Sequence, residues 1–495
     1  MNSFINDSGG YMLEQIDYKT IFHYFEEISK VPRGSYHNEK ISDYLVQFAK
    51  ERAIAYRQEK TGNVIFWKPA SPDCRSTKTV MMQGHMDMVC VCEDDSHDFE
   101  TEGLDLQIRG DWLEAEKTTL GGDDGIALAY ILAVFADDTL THPALEAVIT
   151  VDEEVGMEGA SALDASDLKA DYLINIDNEE EGVLLVSCAG GASVDVVVEG
   201  TLEKQSGIPV EICLSGLCGG HSGTEIDKHP ANASILLGRL LQGVKEDICL
   251  HTITGGDKDN VITPKAAATI FCTGEVSAVC DHLQQTKEQL CQEFVAAEPN
   301  LTIDIIPGER TEMEVFSGSF TKQLLDYLNL TITGVQVMSA QVPGMVESSL
   351  NLGIVKTGAG QIQMSYSVRS QKQTYKEYMV SQVRTLAVHI FDGAAKANVT
   401  VRGEYPAWDY KQDSVLRQVM TSCYEKRFGK SPRVEGIHAG LECGILLQKM
   451  PNLDIVSMGP EIQDIHTVKE RLSISSAKRN YDYLLDVLSA LAEME

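Results

Sequence analysis

Basic residues are in short supply in this chain: 41 lysines and arginines stand against 74 aspartates and glutamates, for a formal charge of −33. A surface of that sign repels phosphate backbones and anionic membrane faces, so nucleic acid and membranes are the first partners to be excluded. Long apolar runs are missing too. Nowhere do 18 uninterrupted apolar residues occur, and residues 1–10 lack the basic-then-apolar pattern of a secretory signal. The expectation is a cytoplasmic protein. The 12 cysteines form no repeated Cys-x-x-Cys pair and no compact framework, which removes a thiolate zinc site and a disulfide scaffold and leaves reduced thiols. What is present is an ordinary globular composition, 43% hydrophobic over 495 residues, long enough for two or more domains.

The stretch Thr118-Thr119-Leu120-Gly121-Gly122-Asp123-Asp124-Gly125 organises the rest. Glycines let a backbone approach a ligand closely, and the two carboxylates arrive just where an apolar helix, 126–135, begins. By itself this could be helix capping, for which Asp is a favoured residue. Four further stretches argue for a cation. The apolar runs 79–83, 145–151, 172–176 and 453–458 read as buried strands. They lead into Gly84-His85-Met86-Asp87, Asp152-Glu153-Glu154, Asp177 and, through a loop, His466. Helical periodicity at 18–28 and 38–49 alternates with them, so the fold class is α/β with a mainly parallel sheet, and such sheets bind ligands outside the carboxyl ends of their strands. His85, Asp123, Glu153, Glu154, Asp177 and His466 are thereby aimed at one edge. Asp87 is spaced to hydrogen-bond the second nitrogen of a metal-ligating His85.

Between residues 193 and 404 the pattern changes to alternating strands at 193–199, 211–214, 266–272, 301–306 and 361–368, with helices at 231–244 and 375–387. This reads as an α+β domain inserted into the catalytic one, which then spans 1–192, loose over 1–11, and 405–495. The two halves of the insertion resemble each other faintly, each placing an Asn (Asn260, Asn351) ahead of a strand, as two similar subdomains would. The insertion carries Gly219-Gly220-His221-Ser222-Gly223, a glycine-rich loop suited to anions, and Arg369, suited to a bidentate carboxylate contact.

Carboxylates combined with two histidines suit zinc, or less specifically manganese or cobalt. The set is too large for one ion if one carboxylate is kept as a base. Two ions sharing a bridging Asp use the inventory economically. Which of Glu153 and Glu154 is base and which is ligand, spacing alone leaves open.

Longer strings are more specific. Gln-Gly-His-Met-Asp-Met-Val (83–89), Thr-Thr-Leu-Gly-Gly-Asp-Asp-Gly-Ile (118–126), Asp-Glu-Glu-Val-Gly-Met-Glu-Gly-Ala (152–160) and Ile-Asn-Ile-Asp-Asn-Glu-Glu-Glu-Gly (174–182) resemble the M20 clan of co-catalytic zinc peptidases. Cys-Ala-Gly-Gly (188–191), Gly-Gly-His-Ser-Gly (219–223), His-Ala-Gly-Leu-Glu-Cys-Gly (438–444) and Ser-Met-Gly-Pro (457–460) resemble its aminoacyl-histidine dipeptidase branch. The resemblance implies two zinc ions, one on His85, Asp123 and Asp177, the other on Asp123, Glu154 and His466. It also implies Glu153 as general base, Asp87 as the group orienting His85, and an insertion that acts as a lid. His221, Asn260, Arg369 and Gly440 would be the substrate contacts. Cys90 stands where a proline is expected, and no ligand is lost.

The reading is a cytoplasmic two-metal dipeptidase that hydrolyses unblocked dipeptides, β-alanyl-histidine and other Xaa-His among them, with a metal-bridging hydroxide as nucleophile. Its partner is the small peptide, and a homodimer is left open. The rivals are an amidase or deacylase of N-acyl amino acids from the same clan, and a metal-dependent binding protein without catalysis.

Overall fold

A computed structural model of the chain describes residues 13, 19–94, 96–244, 247–342, 344–392 and 396–494. The loose extension expected at 1–11 lies outside the described residues. The chain divides into two compact units: Met1–Ser187 with Tyr410–Gly436 and Leu441–Glu495, and Cys188–Asp409 with Ile437–Gly440.

In the first unit an eight-stranded sheet runs in the order Ala55–Gln58, Val64–Lys68, Ala144–Thr150, Thr79–His85, Tyr172–Asn175, Asp454–Ser457, Val183–Cys188, Arg433–Ile437. Its four central strands, from Ala144–Thr150 to Asp454–Ser457, pair in parallel, while Ala55–Gln58 with Val64–Lys68, Val64–Lys68 with Ala144–Thr150, and Asp454–Ser457 with Val183–Cys188 pair antiparallel. The parallel character expected from the sequence therefore belongs to the centre of a mixed sheet. Those strands are apolar along nearly their whole length because both faces are covered. The helix Gly122–Ala136 is buried from Gly122 to Phe135, which explains why it reads as apolar all round rather than as an amphipathic stripe. A four-stranded sheet, ordered Ile462–Gln463, Arg471–Ser473, Trp112–Ala115, Leu106–Arg109, lies in the same unit. By pairing Arg471–Ser473 with Trp112–Ala115 it brings residue 470 beside the 118–123 loop.

The second unit is built on an antiparallel ten-stranded sheet. Helices Ala233–Leu241, Val276–Phe294, Gly318–Leu330 and Gln373–Ile390 accompany it, so it is α+β. Two local expectations need correction. Asn351 lies inside the strand Val346–Thr357 rather than ahead of one, because its side chain is satisfied there by donating to the carbonyls of Asp259 and Val261. The glycine-rich 219–223 loop, expected to suit anions as such loops do ahead of a helix, is not followed by an α-helix: Gly220–His221 pairs with Val261–Ile262, and a short 3-10 turn, Ile226–Lys228, comes next.

Candidate metal centre

Three of the four central strands lead directly into a donor. His85 is the last residue of its strand, Asp177 lies two beyond Asn175, and Glu153 and Glu154 follow Thr150. Asp123 enters from the first turn of the buried helix; its peptide to Asp124 is cis, and Gly121 just before it has φ +62°, a left-handed conformation that glycine adopts freely.

The six groups aimed at one edge do meet. Asp123 Oδ1 lies 3.0 Å from His85 Nε2, and Asp123 Oδ2 lies 3.2 Å from His466 Nε2. Asp177 Oδ1 is 3.6 Å from the same His85 nitrogen, and Glu154 Oε1 is 2.9 Å from the same His466 nitrogen. Three overlapping donor groups result, each within 4.8 Å: His85, Asp123 and Asp177; Asp123, Glu154 and His466; His85, Glu153 and Glu154. Donors at 2.0–2.1 Å around a tetrahedral zinc stand about 3.3 Å apart, so both the donor chemistry and the spacing fit a pair of divalent cations of the zinc class.

The electrostatics point the same way. Burial pushes Asp177 up to about 6, its hydrogen bond from His85 opposing this and the charges of Asp123 and Glu154 adding to it. At Asp123 burial also works against ionisation, yet hydrogen bonds from His466 and His85 win and hold the carboxyl well below the usual range. Hydrogen bonds to Asp123 and Glu154 raise His466 to about 10. The histidines thus supply positive charge that a divalent cation would otherwise supply. Burial lifts Glu153 well above an ordinary glutamate.

Asp87 is fully buried and accepts from the backbone N–H groups of Glu153 (3.0 Å) and Glu154 (3.3 Å) and from Ser35 Oγ (2.9 Å). Its Oδ1 lies 3.3 Å from His85 Nδ1, and its backbone oxygen 3.1 Å from that nitrogen. The third member of the acidic triplet, Asp152, turns away to accept from Tyr36 N and Asn38 Nδ2, both at 2.6 Å.

Three charged residues of this neighbourhood were not singled out from the sequence. Glu470 accepts from four consecutive backbone N–H groups, those of Leu120, Gly121, Gly122 and Asp123. Arg33 donates to the carbonyls of Gly121, Met86 and Asp87. Glu442, raised by burial to about 7, accepts from Thr150 Oγ1 (2.7 Å) and from Gln83, whose own oxygen accepts from Asn175. Arg33 sits in a Pro-Arg-Gly-Ser break, and Glu470 and Glu442 act on partners more than 290 residues away; one sequence carries no signal for such contacts.

The remaining predicted residues belong to the second unit. His221 Nδ1 accepts from Gly223 N and Thr224 N, each at 3.3 Å, which leaves its proton on Nε2. Gly223 has room only for hydrogen: a Cβ there would lie 2.8 Å from the His438 carbonyl and 3.0 Å from the His221 ring. His438 shares a 2.7 Å hydrogen bond with Ser349 Oγ, and Ser349 is the cross-strand neighbour of Arg369. Arg369 donates to Tyr405 Oη at 3.0 Å. The carbonyl of Asn260 accepts from Ser222 N at 2.9 Å, and that of Ala439, beside Gly440, accepts from Ala189 N at 3.1 Å.

Comparison with known proteins places this geometry in context. A family model described as peptidase family M20/M25/M40 matches residues 81–490. The cytosol non-specific dipeptidase of Escherichia coli (strain K12) is 34% identical over 488 residues, covering 97% of this chain and 99% of that protein. The crystal structure of aminoacylhistidine dipeptidase from Vibrio alginolyticus matches with a TM-score of 0.90 at 31% identity, over 98% of this chain and 99% of that one. Aminopeptidase PepT from Bacillus cereus, at 15% identity and a TM-score of 0.59 over 96% of this chain and 99% of that one, shares the fold.

Proposed function

This chain belongs to peptidase family M20/M25/M40, and from there we propose that it is a cytoplasmic two-metal dipeptidase acting on unblocked dipeptides, Xaa-His substrates among them. The observation that carries the reading is Asp123, whose two oxygens face two different histidines, each with a further carboxylate at its side. When bound, a pair of zinc-class cations supplies a polarised carbonyl and a water acidic enough to attack near neutral pH. The protein's part is positional and protonic. His85 and Asp177 hold one side of the centre, Glu154 and His466 the other, and Asp87 keeps the His85 ring and the Glu153–Glu154 backbone in place. Glu153, made more basic by burial, takes a proton at its carboxylate and returns it to the leaving amine. In the second unit the His221 Nε2–H is a donor suited to a developing oxyanion, and the Arg369 fork suits a substrate carboxylate; Asn260 and Gly440 complete the proposed substrate contacts. Among the described residues no helix is long and apolar enough to cross a membrane, and the Escherichia coli relative is named for the cytosol.

The test is a substrate panel run with metal analysis. Turnover of free dipeptides with about two metal equivalents is expected, and Glu153→Gln should keep the metal while losing ~10²–10⁴-fold in kcat. Turnover confined to N-acetyl amino acids would sink the dipeptidase assignment, and near-normal turnover in Glu153→Gln would move the base elsewhere.

A further inference from the structure

The loop that delivers Asp123 is gripped from both sides of its backbone. On the N–H side, Glu470 Oε2 accepts from Leu120 N (2.9 Å) and Gly121 N (3.0 Å), while Oε1 accepts from Gly122 N (2.7 Å) and Asp123 N (3.3 Å). On the carbonyl side, Arg33 Nη2 donates to Gly121 O, and its Nη1 donates to Met86 O (3.1 Å) and Asp87 O (3.3 Å). Both side chains are almost wholly buried, Arg33 2% and Glu470 3% exposed. A charge is costly in such a place unless its hydrogen-bonding capacity is used; a carboxylate taking four N–H groups, and a guanidinium bridging three carbonyls, use most of theirs. Neither residue reaches the donor atoms themselves.

The two grips lead to different halves of the centre. Arg33 ties Gly121 to the Met86–Asp87 backbone, next to His85. Glu470 ties the same loop to the segment four residues after His466, a segment in which Asp464 and His466 hold left-handed φ values of +55° and +61°, conformations that ordinary residues keep only when their surroundings impose them. We propose that Arg33 and Glu470 are positioning residues that fix the bridging carboxylate against one metal site each: Arg33 sets Asp123 against His85 and Asp177, and Glu470 sets Asp123 against Glu154 and His466. This division rests on the two-metal reading above, and Gly121 is where the grips meet. Gly121 itself tolerates nothing larger, since a Cβ would overlap the Arg33 guanidinium and approach Met88 Sδ at 2.7 Å.

The test is a site-resolved metal titration. Full-length protein is stripped with chelator and titrated with cobalt(II) against a competing chelator, following the visible absorption of bound cobalt. His85→Ala and His466→Ala show which binding step belongs to which site. Glu470→Gln, nearly isosteric but able to accept at only one end, should weaken by about 10–100-fold only the step lost in His466→Ala. Arg33→Met should weaken by a similar factor only the step lost in His85→Ala. Arg33→Lys keeps the charge without the fork and should recover part of that loss; it also carries the Arg33 test should the Met variant fail to fold. A merely structural role would move both steps together with the unfolding midpoint. Equal weakening of both steps, or unchanged binding in folded variants, overturns the division of labour. A wild-type protein that takes up no cobalt would instead overturn the two-metal reading on which it rests.

Discussion

Two histidines of this chain are driven in opposite directions by what they touch. His466, hydrogen-bonded to Asp123 and Glu154, rises to about 10, whereas His438, buried and facing the charges of Arg369 and His221, falls to about 3. The second shift has a consequence for stability. An imidazole in the unfolded chain takes up its proton near 6.5, but folded His438 does not until about 3. Below pH 6.5 the unfolded state therefore binds a proton that the folded state does not, and stability drains away as pH falls through that window; above it the residue contributes no pH dependence. The slope approaches about 1.4 kcal/mol per pH unit at most. His438→Gln keeps a polar group opposite Ser349 and removes the titration. Urea unfolding at pH 7 and pH 5 should show wild type losing about 1–2 kcal/mol relative to the variant. A difference between the two proteins that stays constant with pH would assign the slope to other groups.

At the scale of elements, the packing of the strand Thr79–His85 against the helix Gly122–Ala136 decides where Asp123 stands. Gly84 is the point of contact: a Cβ there would overlap the Asp124 carboxylate and come within 2.5 Å of the Ala127 Cβ. Gly84→Ala forces the first helical turn away from the strand, and overpacking of this kind costs about 1–3 kcal/mol. Denaturant unfolding should register that loss, together with weaker zinc binding, while Gly274→Ala, where an added methyl meets nothing within 4 Å, serves as the neutral control. Wild-type stability and zinc affinity in Gly84→Ala would show that the helix can shift without cost.

Such elements were legible to the extent that burial is written as an apolar run. The strands at 79–83, 145–151, 172–176 and 453–458 were found because both faces of a parallel centre are covered, and their ends fell within two residues of those observed, at Thr79–His85, Ala144–Thr150, Tyr172–Asn175 and Asp454–Ser457. The strand Val346–Thr357 was read only beyond Asn351, and its first half was missed for the opposite reason. Its buried Ser348, Ser349 and Asn351 look like loop residues until Ser370, His438 and the 259–261 backbone supply their partners. Glu470 belongs to the same class, since four backbone N–H groups leave no trace in side-chain pattern.

On the scale of the whole molecule, the sequence marks the insertion where strand alternation begins and ends, at 193 and 404. The compact unit runs from Cys188 to Asp409 and includes Ile437–Gly440, four residues whose placement depends on backbone hydrogen bonds such as Ala189 N to Ile437 O at 3.1 Å. Each unit has its own apolar core, one around the helix Gly122–Ala136 and one between the ten-stranded sheet and its helices. The proposed metal donors all lie in the first. A ligand that binds only the folded form stabilises whatever it binds, by about 2.7 kcal/mol at a free concentration of 100 Kd. Metal should therefore stabilise the first unit and leave the second unaffected. Calorimetry with zinc present and then with excess chelator should show the transition of the first unit moving down in temperature while that of the second stays in place, with tryptophan fluorescence as the assignment: Trp67 and Trp112 lie in the first unit and Trp408 in the second. Variants retaining only Trp408 should then report a transition indifferent to chelator. A Trp408 signal that shifts as far as the others would mean that the two cores unfold as one, and the metals would have to be credited with holding the entire chain.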